Sequence, residues 1–211
     1  MQTLQTASKN VLQTVKTTKT TYDNACNARE IAMNPLKKYC TRIINALEAT
    51  TAAKQTVDDV KTINHKIQGK SANGTKTTTT TTAATDVPAP EPQPKQISTT
   101  QQSIDSLIDN FQKLVVAVTA EPLYVPNESD LKATALNTTL TNLRTLNTAA
   151  INATIPYSNA MIVRDTTLYQ PNTGLVDIAL EVKKYVKSVY GATSPQYKQI
   201  SGLQFKKLNK K

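Results

Sequence analysis

Residues 4–29 read LQTASKNVLQTVKTTKTTYDNACNAR. Within them Leu4, Ser8, Val11, Val15, Thr18, Tyr22, Ala25 and Arg29 recur at alternating steps of four and three. That spacing puts all eight on one stripe of an α-helix and predicts a helix packed lengthwise on another. Pro35 interrupts the pattern and suits the first turn of a new helix. The next stripe, Leu36, Cys40, Ile43, Leu47, Val57, Val60, Ile63 and Ile67, predicts a second helix that weakens around Thr50 to Lys54. At 1.5 Å per residue, two helices of about 30 residues would each run about 45 Å and form an antiparallel hairpin.

Composition points the same way. Of 211 residues, 38% are hydrophobic, Trp is absent and Phe occurs only at Phe111 and Phe205. Leu, Ile, Val, Ala and Tyr must therefore supply the packing, and small apolar side chains suit closely packed helices. Five glycines are too few for the tight turns of a β-rich fold. Abundant threonine opposes helix propensity, and the periodicity must override it.

Residues 70–96 read as a linker, with Thr77 to Thr82 followed by Pro88, Pro90, Pro92 and Pro94. Such a tract has nothing to bury and favours an extended spacer over a ligand for a proline-binding domain. Beyond it, Ser98-Thr99-Thr100-Gln101 has the form of a capping box. It would open a helix carrying Ile104, Leu107, Ile108, Phe111, Leu114, Val115 and Val118. Glu121-Pro122 ends that helix, and Ser129 is expected to start a long one through Leu136, Leu140, Leu143 and Ala150. Pro156 should kink this helix and Pro171 stop it. Thr173 is a cap for a helix with Leu175, Ala179, Val182, Val186 and Val189, ending at Gly191. Ser194-Pro195 opens a last short helix to about Ser201. The reading is all-α: an antiparallel helical bundle of two related long-helix hairpins joined by the Thr/Pro-rich linker. Its parts are a hairpin at 1–69, the linker at 70–96 and a helical half at 97–211 with a basic tail.

The two halves resemble each other. Tyr22, Asn24 and Arg29 match Tyr157, Asn159 and Arg164 in order and spacing, and Lys37-Lys38-Tyr39 matches Lys183-Lys184-Tyr185. A repeat implies that each amphipathic hairpin needs the other to bury its stripe. Tyr22 and Tyr157 would be equivalent half-buried residues. Arg29 and Arg164 would pair with acidic groups at the hairpin bends.

The stretches Asn172-Thr173-Gly174-Leu175-Val176-Asp177, then Val182-Lys183-Lys184-Tyr185-Val186-Lys187-Ser188, then Gly191 to Ile200 resemble the C-terminal part of a group of small, uncharacterised bacterial helical proteins. The likeness covers roughly a quarter of the chain. It implies a helical fold and brings no known activity.

Catalytic chemistry has little to work with. His65 is the only histidine, so no metal pair at helix spacing exists and a cysteine nucleophile would have no other imidazole base. No glycine-rich phosphate loop occurs, and the adjacent Asp58 and Asp59 point to different helix faces. Neither enzyme activity nor a cofactor is expected. Cys26 and Cys40 are either two reduced, buried thiols or, if the chain folds back near Pro35, a disulfide. The N-terminal residues lack an apolar signal core and the longest apolar run, Leu114 to Val118, is too short to span a bilayer. A cytoplasmic protein without integral membrane association is therefore expected.

The net charge is +10. Residues 1–70 carry 11 Lys/Arg against 5 Asp/Glu and residues 173–211 carry 8 against 2, so each contributes +6; residues 97–172 contribute −2. An acidic protein or a nucleic acid suits such a surface. Only four of the basic residues are Arg, which disfavours bidentate base reading and points to non-specific backbone contact. The C-terminal cluster Lys183, Lys184, Lys187, Lys198, Lys206, Lys207, Lys210 and Lys211 is the expected polyanion contact. The leading expectation is a helical structural or protein-interaction protein that partners another protein or itself; the basic binding module is the alternative.

Overall fold

The computed structural model describes residues 2–69 and 102–206. Seven helices occur among them, with no strand: α1 (Gln2–Met33), α2 (Leu36–Glu48), α3 (Lys54–Gln68), α4 (Ile104–Thr119), α5 (Ala133–Tyr169), α6 (Leu175–Tyr190) and α7 (Pro195–Ser201). The all-helical reading holds. The linker at 70–96 and the capping box at Ser98 lie outside the described residues.

Threonine is reconciled with helix locally. Thr14, Thr18, Thr62, Thr138, Thr145 and Thr167 each donate their hydroxyl to the carbonyl four residues earlier, at 2.8–3.0 Å. The hydroxyl is satisfied within its own turn and leaves the ladder intact.

Several boundaries differ from the sequence expectation. The single helix expected over 36–67 is two, because the chain breaks between Glu48 and Lys54. There the Thr50 hydroxyl donates to the Leu47 carbonyl at 2.7 Å and accepts from the Ala52 amide at 3.2 Å, replacing the ladder bonds where no apolar side chain anchors the stripe. α4 is capped by Ser103, whose hydroxyl accepts from the Ser106 amide. α5 starts at Ala133 instead of Ser129, after Tyr124 has hydrogen-bonded the Leu131 carbonyl at 2.9 Å and fixed the loop. α6 is capped by Gly174 instead of Thr173. The Gly174 amide donates to the Gln170 carbonyl at 2.8 Å, and a Cβ there would lie 2.6 Å from the Gln170 nitrogen, so only glycine fits. Pro156 lies inside α5 without ending it, since a neighbour-packed helix tolerates one missing donor. Ser194 and Pro195 open α7 as read, the Ser194 hydroxyl accepting from Tyr197.

The chain forms two compact units, one of residues 29–147 and one of residues 1–28 with 148–211. The first holds the apolar core. Its buried cluster runs from Leu36 to Leu143 and draws on α2, α3, α4 and the first part of α5, so both sides of residues 70–96 contribute. Directions follow from side-chain pairs. Lys61 pairs with Glu48 while Gln68 donates to the Lys37 carbonyl at 2.8 Å, so α3 runs back along α2. Gln102, just ahead of α4, donates to the Lys66 carbonyl at 2.8 Å near the end of α3. Asn147 reaches Asp105 while Arg144 reaches Gln112, so α5 runs back along α4. The unit is an up-down-up-down bundle around fully buried Phe111, Ile43, Leu47, Leu114 and Leu136.

A polar chain ties three helices at the edge of this core. Arg29 Nη1 on α1 donates to Asn147 Oδ1 at 3.1 Å, and Asn147 Nδ2 on α5 donates to Asp105 Oδ1 in the first turn of α4 at 2.6 Å. Asn147 is buried, so both halves of its amide must be satisfied.

The other unit is thinly packed. The seam on α1 is the side turned from water: Leu4, Val11, Val15, Thr18, Tyr22 and Ala25 are half-buried and Ser8 is buried. On α5, Ala150 and Ala160 are buried in this unit. None of the sixteen residues of α6 is buried, nor any of α7.

Cys40 is a free, buried thiol, so the disulfide left open by the sequence is not formed. Burial pushes its pKa up from 9.0 to about 12, and burial likewise pushes the Tyr124 phenol from 10.0 to about 12. Between pH 9 and 12 the unfolded chain therefore releases protons that the folded chain retains, and stability falls as pH rises. Cys40 alone should account for up to about 1.4 kcal/mol per pH unit in that window. Urea unfolding across it should show the decline beginning near pH 9. Cys40→Ala should delay its onset to the tyrosine range; an unchanged slope in the variant would mean that the thiol titrates freely in the folded chain.

Candidate functional site

The expected polyanion residues fall on α6, α7 and the segment after them. Lys183 is committed internally: its ammonium donates to the carbonyls of Ser201 at 2.6 Å and Leu203 at 2.8 Å. These carbonyls lie at the end of α7, where no further helical amide reaches them, and a cation answers them well. Lys187, one turn on, places its ammonium 5.9 Å from the centre of the Tyr197 ring, a cation–π distance. Both lysines thus help hold α7 on α6. Lys184, Lys198 and Lys206 are exposed. Lys207, Lys210 and Lys211 lie outside the described residues.

The six residues that the sequence matches between the two halves separate into three pairs. Tyr22 and Tyr157 meet directly, their rings stacked with centroids 5.6 Å apart and planes 18° apart. Asn24 and Asn159 are both exposed. Each arginine has a polar partner. Arg29 donates to the Asn147 amide, and Arg164 donates to its own neighbour Asp165 at 2.5 and 2.8 Å. The following residue is within reach of a long guanidinium, and no bend is needed to supply the charge.

His65 is exposed in the last turn of α3. Among the described residues no group of three or more His, Cys, Asp or Glu is placed to hold a metal, and no helix is long and apolar enough to cross a membrane.

Sequence reasoning missed a groove in the unit of residues 29–147. It has a volume of about 340 Å³. Ala32, Pro35, Leu36 and Ala135 give it apolar walls, with the Tyr39 ring between them. Tyr39 is held from behind by Phe111, ring centroids 6.1 Å apart, so this wall belongs to the core. The polar atoms gather at one side and mostly satisfy each other. The Tyr39 hydroxyl donates to the Asp130 carbonyl, and Arg42 Nη1 holds the Asp130 carboxylate at 2.6 Å. That guanidinium pulls the Asp130 carboxyl below its ordinary value, and burial raises the Tyr39 phenol. Lys38 lines the same groove, exposed and with no partner among the described residues. Pro35, Lys38, Tyr39 and Arg42 fall at helical steps of three, one and three, a one-face pattern readable in the sequence. The opposing Asp130, Ala135 and Thr139 are about 90 residues distant and could not be paired with it by pattern.

Comparison with models of protein families, with curated proteins and with solved structures gives no match to this chain.

Lys183→Gln should release the residues after α7 while Lys184→Gln should not. Losing charge-assisted bonds worth on the order of 1–1.5 kcal/mol should speed amide exchange at Leu203 and its neighbours about tenfold. Equal exchange in both variants would mean that the carbonyl contacts are not what holds the segment.

Proposed function

We propose that this chain is a non-enzymatic helical interaction protein that associates with copies of itself or with a protein partner through apolar faces of the unit formed by residues 1–28 and 148–211. The observation that carries this reading is α6. Its stripe has the amphipathic spacing of a packed helix, yet none of its residues is buried, and Val182, Tyr185 and Val189 are exposed. α5 adds a second exposed stripe at Ile151, Ile155 and Ile162, on a different side from buried Ala150 and Ala160. Contiguous exposed apolar surface on a water-exposed helix marks an association site. The related-hairpin reading fits here too, since the stacked Tyr22 and Tyr157 are the positions the repeat makes equivalent.

The alternative, a basic module contacting nucleic acid through its backbone, draws on the exposed Lys184, Lys198 and Lys206. Salt separates the two readings, because phosphate binding weakens steeply with salt and apolar association does not.

Light scattering on the full chain tests the proposal. Assemblies larger than one chain should persist from low salt to about 1 M, where the Debye length is only about 3 Å. Ile155→Asp with Val182→Asp, both at exposed positions, should return single chains with an unchanged helical circular dichroism spectrum. Single chains throughout, with nucleic-acid binding that vanishes at high salt, would establish the alternative.

A further inference from the structure

We propose that the groove between α2 and the start of α5 binds a small amphipathic organic anion: an apolar body of about ten heavy atoms carrying one carboxylate. The groups that line the groove narrow the choice, and the Thr139 hydroxyl is already given to the Ala135 carbonyl at 2.9 Å. The walls are hydrocarbon and one tyrosine ring, so the body of the ligand is apolar. Three of the polar groups are engaged with one another: Tyr39 bonds the Asp130 carbonyl, and Arg42 bonds the Asp130 carboxylate through Nη1 at 2.6 Å and Nη2 at 3.3 Å. An anion gains little from a guanidinium already neutralised by a carboxylate. Lys38 is the remaining cation on the groove, and charge complementarity assigns the ligand's single negative charge to it.

Size and rigidity set the class further. At about 30 Å³ per water, a volume of about 340 Å³ admits about eleven water-sized groups, enough for an aryl or medium-chain carboxylate. Tyr39 is seated against Phe111 and Leu36 is buried, so the walls are preformed and ordering them adds no cost on binding. The site lies wholly in the unit of residues 29–147 and is independent of the apolar faces on α5 and α6.

The test uses the full chain, 3-phenylpropionate as probe and 3-phenylpropan-1-ol as its neutral analogue, followed by amide shifts in NMR. Expected is saturable binding of the carboxylate in the low-millimolar range, with shifts centred on Ala32, Tyr39 and Thr139, and about tenfold weaker binding of the alcohol. Lys38→Gln, at an exposed position, should remove the preference for the acid and leave the alcohol's affinity unchanged. Ala135→Leu should fill the groove and abolish both. Absence of saturable shifts at this groove, equal affinity for acid and alcohol in the natural chain, or a preference that survives Lys38→Gln would each overturn the proposal. The second of these would identify a neutral occupant, such as a partner's apolar side chain.

Discussion

The packing of α2, α3, α4 and the first part of α5 around Phe111 is the interaction on which the rest of the structure depends. With two phenylalanines and no tryptophan, the chain has few side chains able to fill a wide core, and it concentrates them. Phe111, Ile43, Leu47, Leu114, Leu136 and Leu143 are all fully buried in one bundle. What the other unit shields is Leu4, Ser8, Val11, Val15, Thr18, Tyr22 and Ala25 on α1 with Ala150 and Ala160 on α5, a shallow seam with no large side chain fully buried. Hydrophobic stabilisation scales with apolar area removed from water, so the two units differ in what holds them. The same scarcity leaves the α6 stripe half-buried at Leu175, Ala179 and Val186 and exposed at Val182 and Val189.

Polar groups then fix register where apolar packing is least selective. Arg29, Asn147 and Asp105 form one chain across α1, α5 and α4, and Asn147 is the only one of the three that is buried. A buried amide with two assigned partners tolerates no sliding of its helix, because a shift of one turn would leave it unsatisfied. The threonine hydroxyls act at shorter range: each bonds its own preceding turn, so a threonine-rich helix shows water few unsatisfied groups. Lys183 and Lys187 do the same for α7, one through carbonyl contacts and one through the Tyr197 ring.

The sequence made some of this visible and concealed the rest. The α1 seam was legible because its steps of four and three persist for seven intervals, and every residue on it is shielded in the structure. Ser194-Pro195 and Gly191 were legible because cap chemistry is local. The break between α2 and α3 was blurred, because Ala49, Ala52 and Ala53 are good helix formers and the Thr50 hydroxyl bonds that end the helix have no periodic signature. Gly174 was passed over for Thr173, since only the close approach of the Gln170 backbone makes glycine obligatory there. The groove at Tyr39 was invisible because it joins residues about 90 positions apart. The lysine cluster was legible as charge, but not the commitment of Lys183 to the carbonyls of Ser201 and Leu203.

A chain built in this way is divided in its packing: one unit holds the buried core, and the other carries long, lightly covered helices. Native-state hydrogen exchange on the full chain measures that division most directly. The account predicts that core amides of α2, α3, α4 and residues 136–147 exchange only through global unfolding. Amides of α6 and α7 should open locally and exchange orders of magnitude faster at concentrations where the chain is single. Equal protection of α6 and α4 under those conditions would contradict it, because α6 would then be held by packing that its exposed stripe does not make.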